Sequence, residues 1–104
     1  RDDSHAVEIR HGEEIKDRKS TFQAHAARVT SSDQLQWAWR EMLSYRNVAT
    51  ATHNIVAYRY FDSKGVLVAD NDDDGEDRAG SNLAQLLSHK CDNVLVMVSR
   101  WYGG

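Results

Sequence analysis

The sequence predicts an α+β domain, a two-layer sandwich in the order ββαββαβ. Three observations carry this. Two early segments alternate apolar and polar residues with the period of a strand. Two later stretches repeat their apolar residues at helical spacing. Residues 94–98 are five apolar residues in a row, which reads as a strand covered on both faces. At 104 residues the chain is read as one domain with one modest core.

Residues 6–11 set Val7 and Ile9 on one face and Glu8 and Arg10 on the other. Gly12 and the charged run 13–19 read as a turn or loop. Residues 20–29 alternate again, with Phe22, Ala24 and Ala26 facing one way and Gln23, His25 and Ala27 the other. These two segments read as adjacent strands. Ser31 followed three residues later by Gln34 has the spacing of a capping box and predicts a helix start. Leu35, Ala38, Trp39, Met42 and Leu43 then recur at helical spacing and are expected to face the core, with Trp37 and Tyr45 off that stripe and half exposed. The helix is expected to end near Arg46 and Asn47, with Asn47 in a left-handed C-cap. Residues 54–61 are rich in β-branched and aromatic side chains and read as a strand. The turn 62–65 ends on Gly65, and residues 66–69 return as the hairpin partner. Leu83, Leu86 and Leu87 mark a second helix over residues 78–90.

The formal charge of −3 conceals an uneven distribution: six acidic residues fall between Asp70 and Asp77, and Lys16, Arg18 and Lys19 form a small basic cluster. An acidic chain lacks the basic footprint of a non-specific duplex-DNA binder, so no DNA partner is expected. No stretch approaches the ~20 apolar residues of a membrane span. The one cysteine, Cys91, forms no intrachain disulfide, which fits a reducing compartment, the cytosol or nucleus, and a cytoplasmic location is expected. The absence of an initial methionine and the ending just after an apolar run suggest a piece of a longer product.

Several segments invite chemistry. Asp70, Asp72, Asp74 and Gly75 match the first half of a calcium-binding loop. Its twelfth position, where a bidentate glutamate belongs, is Ser81, and its eighth, ordinarily apolar, is Asp77. The acids are better explained by the helix N-terminus that follows them, and no metal or other cofactor is expected. His53 sits at a strand entrance and suits a general base, with Ser20, Ser81 or Ser99 as conceivable nucleophiles and Asp70 as orienter. Spacing alone selects no such triad. Gly80-Ser81 near a helix start suits a phosphate, without any nucleotide fingerprint around it. The ending Trp101-Tyr102-Gly103-Gly104 reads as a sharp turn after a strand rather than a mobile conjugation tail.

Three segments together are similar to the Impact family: Lys19-Ser20-Thr21-Phe22-Gln23-Ala24-His25; Ala51-Thr52-His53-Asn54-Ile55-Val56-Ala57-Tyr58-Arg59; and Asp73-Asp74-Gly75-Glu76 with Val98-Ser99-Arg100-Trp101-Tyr102-Gly103-Gly104. Their order and spacing match from about residue 13 to 104. The resemblance implies a fold like the second domain of small-subunit ribosomal protein five. It implies a non-enzymatic regulator of translation that restrains the amino-acid-starvation kinase by competing for the kinase's co-activator, with actin and ribosome as further partners. It also implies that a loop and helix normally following Gly-Gly, and a separate N-terminal interaction domain, lie outside this sequence. The expected binding surface is Thr52, His53, Asn54, Asp73, Asp74, Glu76 and Arg100, with Arg100 beside the acids and holding their loop. The alternative is RNA binding through Lys16, Arg18, Lys19 and Arg28, with Trp37 or Tyr45 for stacking.

Overall fold

The computed structural model describes residues 2–103. Its elements are β1 (Ile9–His11), β2 (Ile15–Asp17), β3 (Ser20–Arg28), α1 (Ser32–Ser44), α2 (Arg46–Ala49), β4 (His53–Phe61), β5 (Leu67–Asp72), α3 (Ala79–Lys90) and β6 (Val94–Tyr102). The α+β class and the order ββαββαβ are as the sequence predicts, with two short additions, β2 and α2. The strands form one antiparallel sheet in the order β1-β3-β6-β4-β5, and β2 pairs with β3 ahead of β1. The charged run read as a loop therefore contains a strand, and Arg18 turns back into β3 at φ 57°.

β6 is the central strand, as its apolar run requires. It extends four residues past Val98, so Ser99 and Arg100 lie inside the sheet. Its odd residues Leu95, Met97 and Ser99 are completely buried. They share a face with His25 and Ala27 of β3 and with Val56 and Tyr60 of β4. α1 closes this face through Leu35, Ala38 and Met42. The core side of β3 is thus the one carrying Gln23 and His25, the more polar of its two faces.

Ser31 caps α1 by accepting the Gln34 N–H, and Gln34 reaches back to the Thr30 N–H rather than to Ser31. Trp39 packs against the core while only partly buried, and Leu43 is exposed, contrary to the expected stripe. The buried line runs through Leu35, Ala38 and Met42, and Leu43 lies on its outer flank. The helix also stops earlier than expected. Tyr45 is extended, and α2 follows, with Val48 buried at 1 % exposure; Asn47 takes no left-handed conformation. The break tucks Tyr45 against the His11 ring and Val48 into the core.

Ile55 and Ala57 alternate with Val56 and Tyr58, so they face the other side of the sheet, where both are buried. α3 packs on this side against β4 and β5, so the sheet has a helix on each face, a third layer that the expected two-layer sandwich lacked. Gly80 fixes this docking. A Cβ there would lie 2.8 Å from the Asp73 backbone nitrogen and 2.9 Å from the Asp72 carbonyl carbon. Gly80 thus serves close packing, which corrects its reading as a phosphate site. Gly80→Ala is expected to lower stability by about 1–3 kcal/mol despite alanine's better helix propensity. Urea denaturation of the two proteins checks this, and an unchanged midpoint would mean that α3 shifts freely on the sheet.

Candidate functional site

β6 lies between β3 and β4 in a register that pairs Arg100 with Phe22 on one side and with His53 on the other. Ser99 is likewise opposite Gln23 and Asn54. The three motif segments, far apart in sequence, therefore become neighbours. Around them are two hydrogen-bonded layers, one on each side of the sheet.

The inner layer is buried. Ser99 Oγ donates to Asn54 Oδ1 at 2.7 Å, so it accepts from His25 Nε2 at 3.1 Å. With its proton on Nε2, His25 accepts at Nδ1 from His11 Nδ1, 2.8 Å away. Asn54 Nδ2 passes the chain on to the Val48 carbonyl at 2.9 Å. Every donor along this line points the same way, from the sheet edge at β1 to α2. His25 is 1 % exposed and Ser99 fully buried. Burial first, and the neighbouring His11 second, lower the His25 pKa to about 4.

The outer layer holds the acidic loop. Arg100 donates to a Glu76 carboxylate oxygen and, through Nε and Nη2, to Ser20 Oγ at 3.2 and 3.1 Å. Its guanidinium carbon lies 4.5 Å from the Tyr102 ring centre and 5.1 Å from that of Phe22. Asp74 Oδ2 accepts the Asn54 N–H at 2.7 Å, and its carbonyl accepts from His53 Nδ1 at 2.7 Å. Within the loop, Asp72 accepts the Asp74 N–H, and Asp73 accepts the Gly75 N–H. Asp74 and Gly75 are both left-handed, at φ 49° and 83°, a sharp reversal that glycine makes without strain. Thr52 Oγ1 accepts the Tyr102 N–H, and the Thr52 N–H donates to the Arg100 carbonyl. Asn54 joins the two layers, backbone outward and side chain inward.

The structure brings Thr52, His53, Asn54, Asp73, Asp74, Glu76 and Arg100 into this one cluster. It also corrects the explanation of the acids. The strand β5 runs on to Asp72, so Asp70 and Asp72 belong to a sheet edge. The first turn of α3 contains no acidic residue, and its N-cap is Arg78 at φ 63°. The acids build the loop rather than cap the helix. Among the described residues no group of three acidic, histidine or cysteine side chains gathers around a common point.

His53 has no hydrogen bond to a serine among the described contacts; its Nδ1 proton is engaged by Asp74. Ser20 is engaged by Arg100, and Ser81 Oγ donates to the Arg78 carbonyl. The histidine–serine pair that does form, His25 with Ser99, is sealed from any substrate. The residues alternatively assigned to RNA do not form one surface. Arg28 ends β3 at the opposite end from Lys19, roughly 27 Å along the strand. Trp37 and Tyr45 are half-buried against the core. Gly103 donates to the Lys19 carbonyl, continuing the sheet pairing, and Gly104 lies outside the described residues.

His25, Phe22 and Tyr102 were not among the expected site residues, and Ser20 and Ser99 were expected only as conceivable nucleophiles for His53. The available signal was parity: His25 alternates with Ala27, and Ser99 with Leu95 and Met97, so each occupies a core position.

The comparisons with known proteins agree with this arrangement. The model of the Impact N-terminal domain matches residues 18–104. The IMPACT homolog of Schizosaccharomyces pombe is 50 % identical over 93 residues, covering 88 % of this chain and 33 % of that protein. IMPACT-B of Xenopus tropicalis is 47 % identical over 105 residues, covering 99 % of this chain and 33 % of its own length. The solved structure of Yih1, described as a two-domain translational regulator, superposes with a TM-score of 0.72 at 38 % identity. That match covers 90 % of this chain and 37 % of Yih1. The chain thus spans about a third of these relatives' length. Motifs, fold and sequence similarity agree: this chain belongs to the Impact family.

Proposed function

We propose that this domain is a non-enzymatic regulator of translation that works by binding a protein. The partner class implied by the family is the co-activator of the amino-acid-starvation kinase, and the regulatory effect is restraint of that kinase. The observation carrying this is how the cluster uses its reactive groups. His53 and Arg100 hold the acidic loop, and His25 and Ser99 are closed inside the core, so the surface offers carboxylates on a fixed mount rather than a nucleophile and base. Asp70, Asp72, Asp74 and Asp77 are exposed there. A basic partner surface complements them, with an affinity that falls as salt rises.

The test is affinity capture from cell extract, with and without nuclease, using the wild-type domain and the double variant Asp73→Asn, Asp74→Asn. Asparagine keeps an oxygen to accept the loop amides while removing two charges. The melting temperature is expected to hold within a few degrees, and capture to fall several-fold. Intact capture by a less stable variant would make the loop purely structural. Capture lost on nuclease treatment would move the interface to the basic turn at Lys16, Arg18 and Lys19, with RNA or the ribosome as partner.

A further inference from the structure

We propose that the outer edge of β5 is a pairing site for an extended segment of a partner protein, in which basic and apolar residues alternate. This rests on the protein-binding function above and specifies its mode. Among the described residues β5 is the last strand of the sheet and pairs only with β4. The Asp62 N–H donates to the Val66 carbonyl at 2.9 Å, which sets the phase of the hairpin ladder. By alternation, Val68, Asp70 and Asp72 exchange hydrogen bonds with β4, whereas Leu67, Ala69 and Asn71 turn their N–H and C=O groups outward. One contact reflects this phase: the Asn71 N–H turns to its neighbour's side chain, Asp70 Oδ1, at 2.8 Å. Five of the six residues of β5 are exposed. The edge is roughly 20 Å long, room for five or six residues of an added strand.

The side chains select the occupant. Val68, Asp70 and Asp72 lie on one face of β5, and Leu67, Ala69 and Asn71 on the other. Leu67, 42 % exposed, stands beside Phe61, 37 % exposed. An antiparallel strand placed here sets alternate residues opposite the two aspartates and the intervening ones opposite Leu67 and Ala69. Basic residues fit the first positions and apolar residues the second. A second copy of β5 is disfavoured, because self-pairing brings aspartates together on one face. Charges of this kind protect sheet edges from their own kind.

The probe is the capped peptide Lys-Val-Lys-Val-Lys-Val, titrated at low salt into the isotope-labelled domain. Its control carries N-methyl groups on the three valines, whose N–H groups would donate to β5; charge and side chains are retained. The unmethylated peptide is expected to bind at least about tenfold more tightly. It is also expected to protect the amides of Leu67 and Ala69 from exchange. Ala69→Pro removes an outward N–H that the β4 ladder does not use, so the variant is expected to fold and to lose the peptide. If that variant fails to fold, the methylated peptide alone decides. Equal binding of both peptides, or protection elsewhere, would overturn edge pairing and leave recognition by the acidic surface standing. No binding of either peptide would also overturn edge pairing. The capture experiment above, which does not use the peptides, then decides separately whether the domain binds a protein.

Discussion

Lowering the pH from 7 to about 4 is expected to remove on the order of 3 kcal/mol of folding stability through His25 alone. Its pKa is about 4 in the folded protein and near the ordinary 6.5 when unfolded. The unfolded chain therefore binds the extra proton first. The contribution is complete above about 6.5 and is lost progressively as pH falls towards 4. Burial is the first cause and the neighbouring His11 the second; the directed chain of hydrogen bonds leaves the buried ring no ready acceptor for another proton. A second proton on His25 would have to sit on Nδ1, so the charge would lie in the core and His11 would have to move its own proton to Nε2 to accept it. Denaturation at a series of pH values should show wild type losing roughly 1.4 kcal/mol per pH unit across the middle of that range. His25→Gln should show a slope shallower by about one proton. Parallel slopes for the two proteins would mean that His25 titrates normally and that the chain is not closed to water. Nitrogen chemical shifts of the ring offer an independent check, since they distinguish the Nε2-protonated form.

The order of elements was legible because it rests on period: Leu35, Ala38 and Met42 at helical spacing, and His25 with Ala27 at strand spacing; the first segment, read as 6–11, is a strand only over Ile9–His11. Side-chain chemistry misled where it stood in for backbone state. Asp70, Asn71 and Asp72 look like loop residues, yet they pair with β4 because an edge strand exposes most of its side chains. His25 and Ser99 look like surface residues. They are core residues because each satisfies the other, which a linear pattern does not reveal. Leu43 fits a helical repeat but lies off the buried line, since spacing gives the face and not its width. The break at Tyr45 has no marker such as glycine or proline; it follows from the needs of Tyr45 and Val48 in three dimensions. The seven expected binding residues do gather in one place, because the start of β4 lies beside Arg100 of β6 and the loop after β5 folds back onto both.

Arg100→Ala is expected to cost about 2–4 kcal/mol, a large loss for a position whose side chain is 27 % exposed. Three losses act together. Glu76, with a side chain 19 % exposed, is left with a desolvated and unpaired carboxylate. Ser20 loses both guanidinium donors, and the Phe22 and Tyr102 rings lose the cation between them. Arg100→Lys separates charge from shape. An ammonium can reach Glu76 or Ser20 but lacks the planar fork that serves both while lying against the rings, so about half the loss is expected to remain. The effect should be local before it is global. The Asn54 N–H, which donates to Asp74, should exchange faster in the alanine variant than amides in the middle of β6. A double-mutant cycle with Glu76→Ala then measures the coupling, for which at least about 1 kcal/mol is expected. Coupling near zero, with Asn54 exchange unchanged, would show that the Asp74 contacts to His53 and Asn54 hold the loop unaided. Arg100 would then be available to a partner rather than committed to the fold.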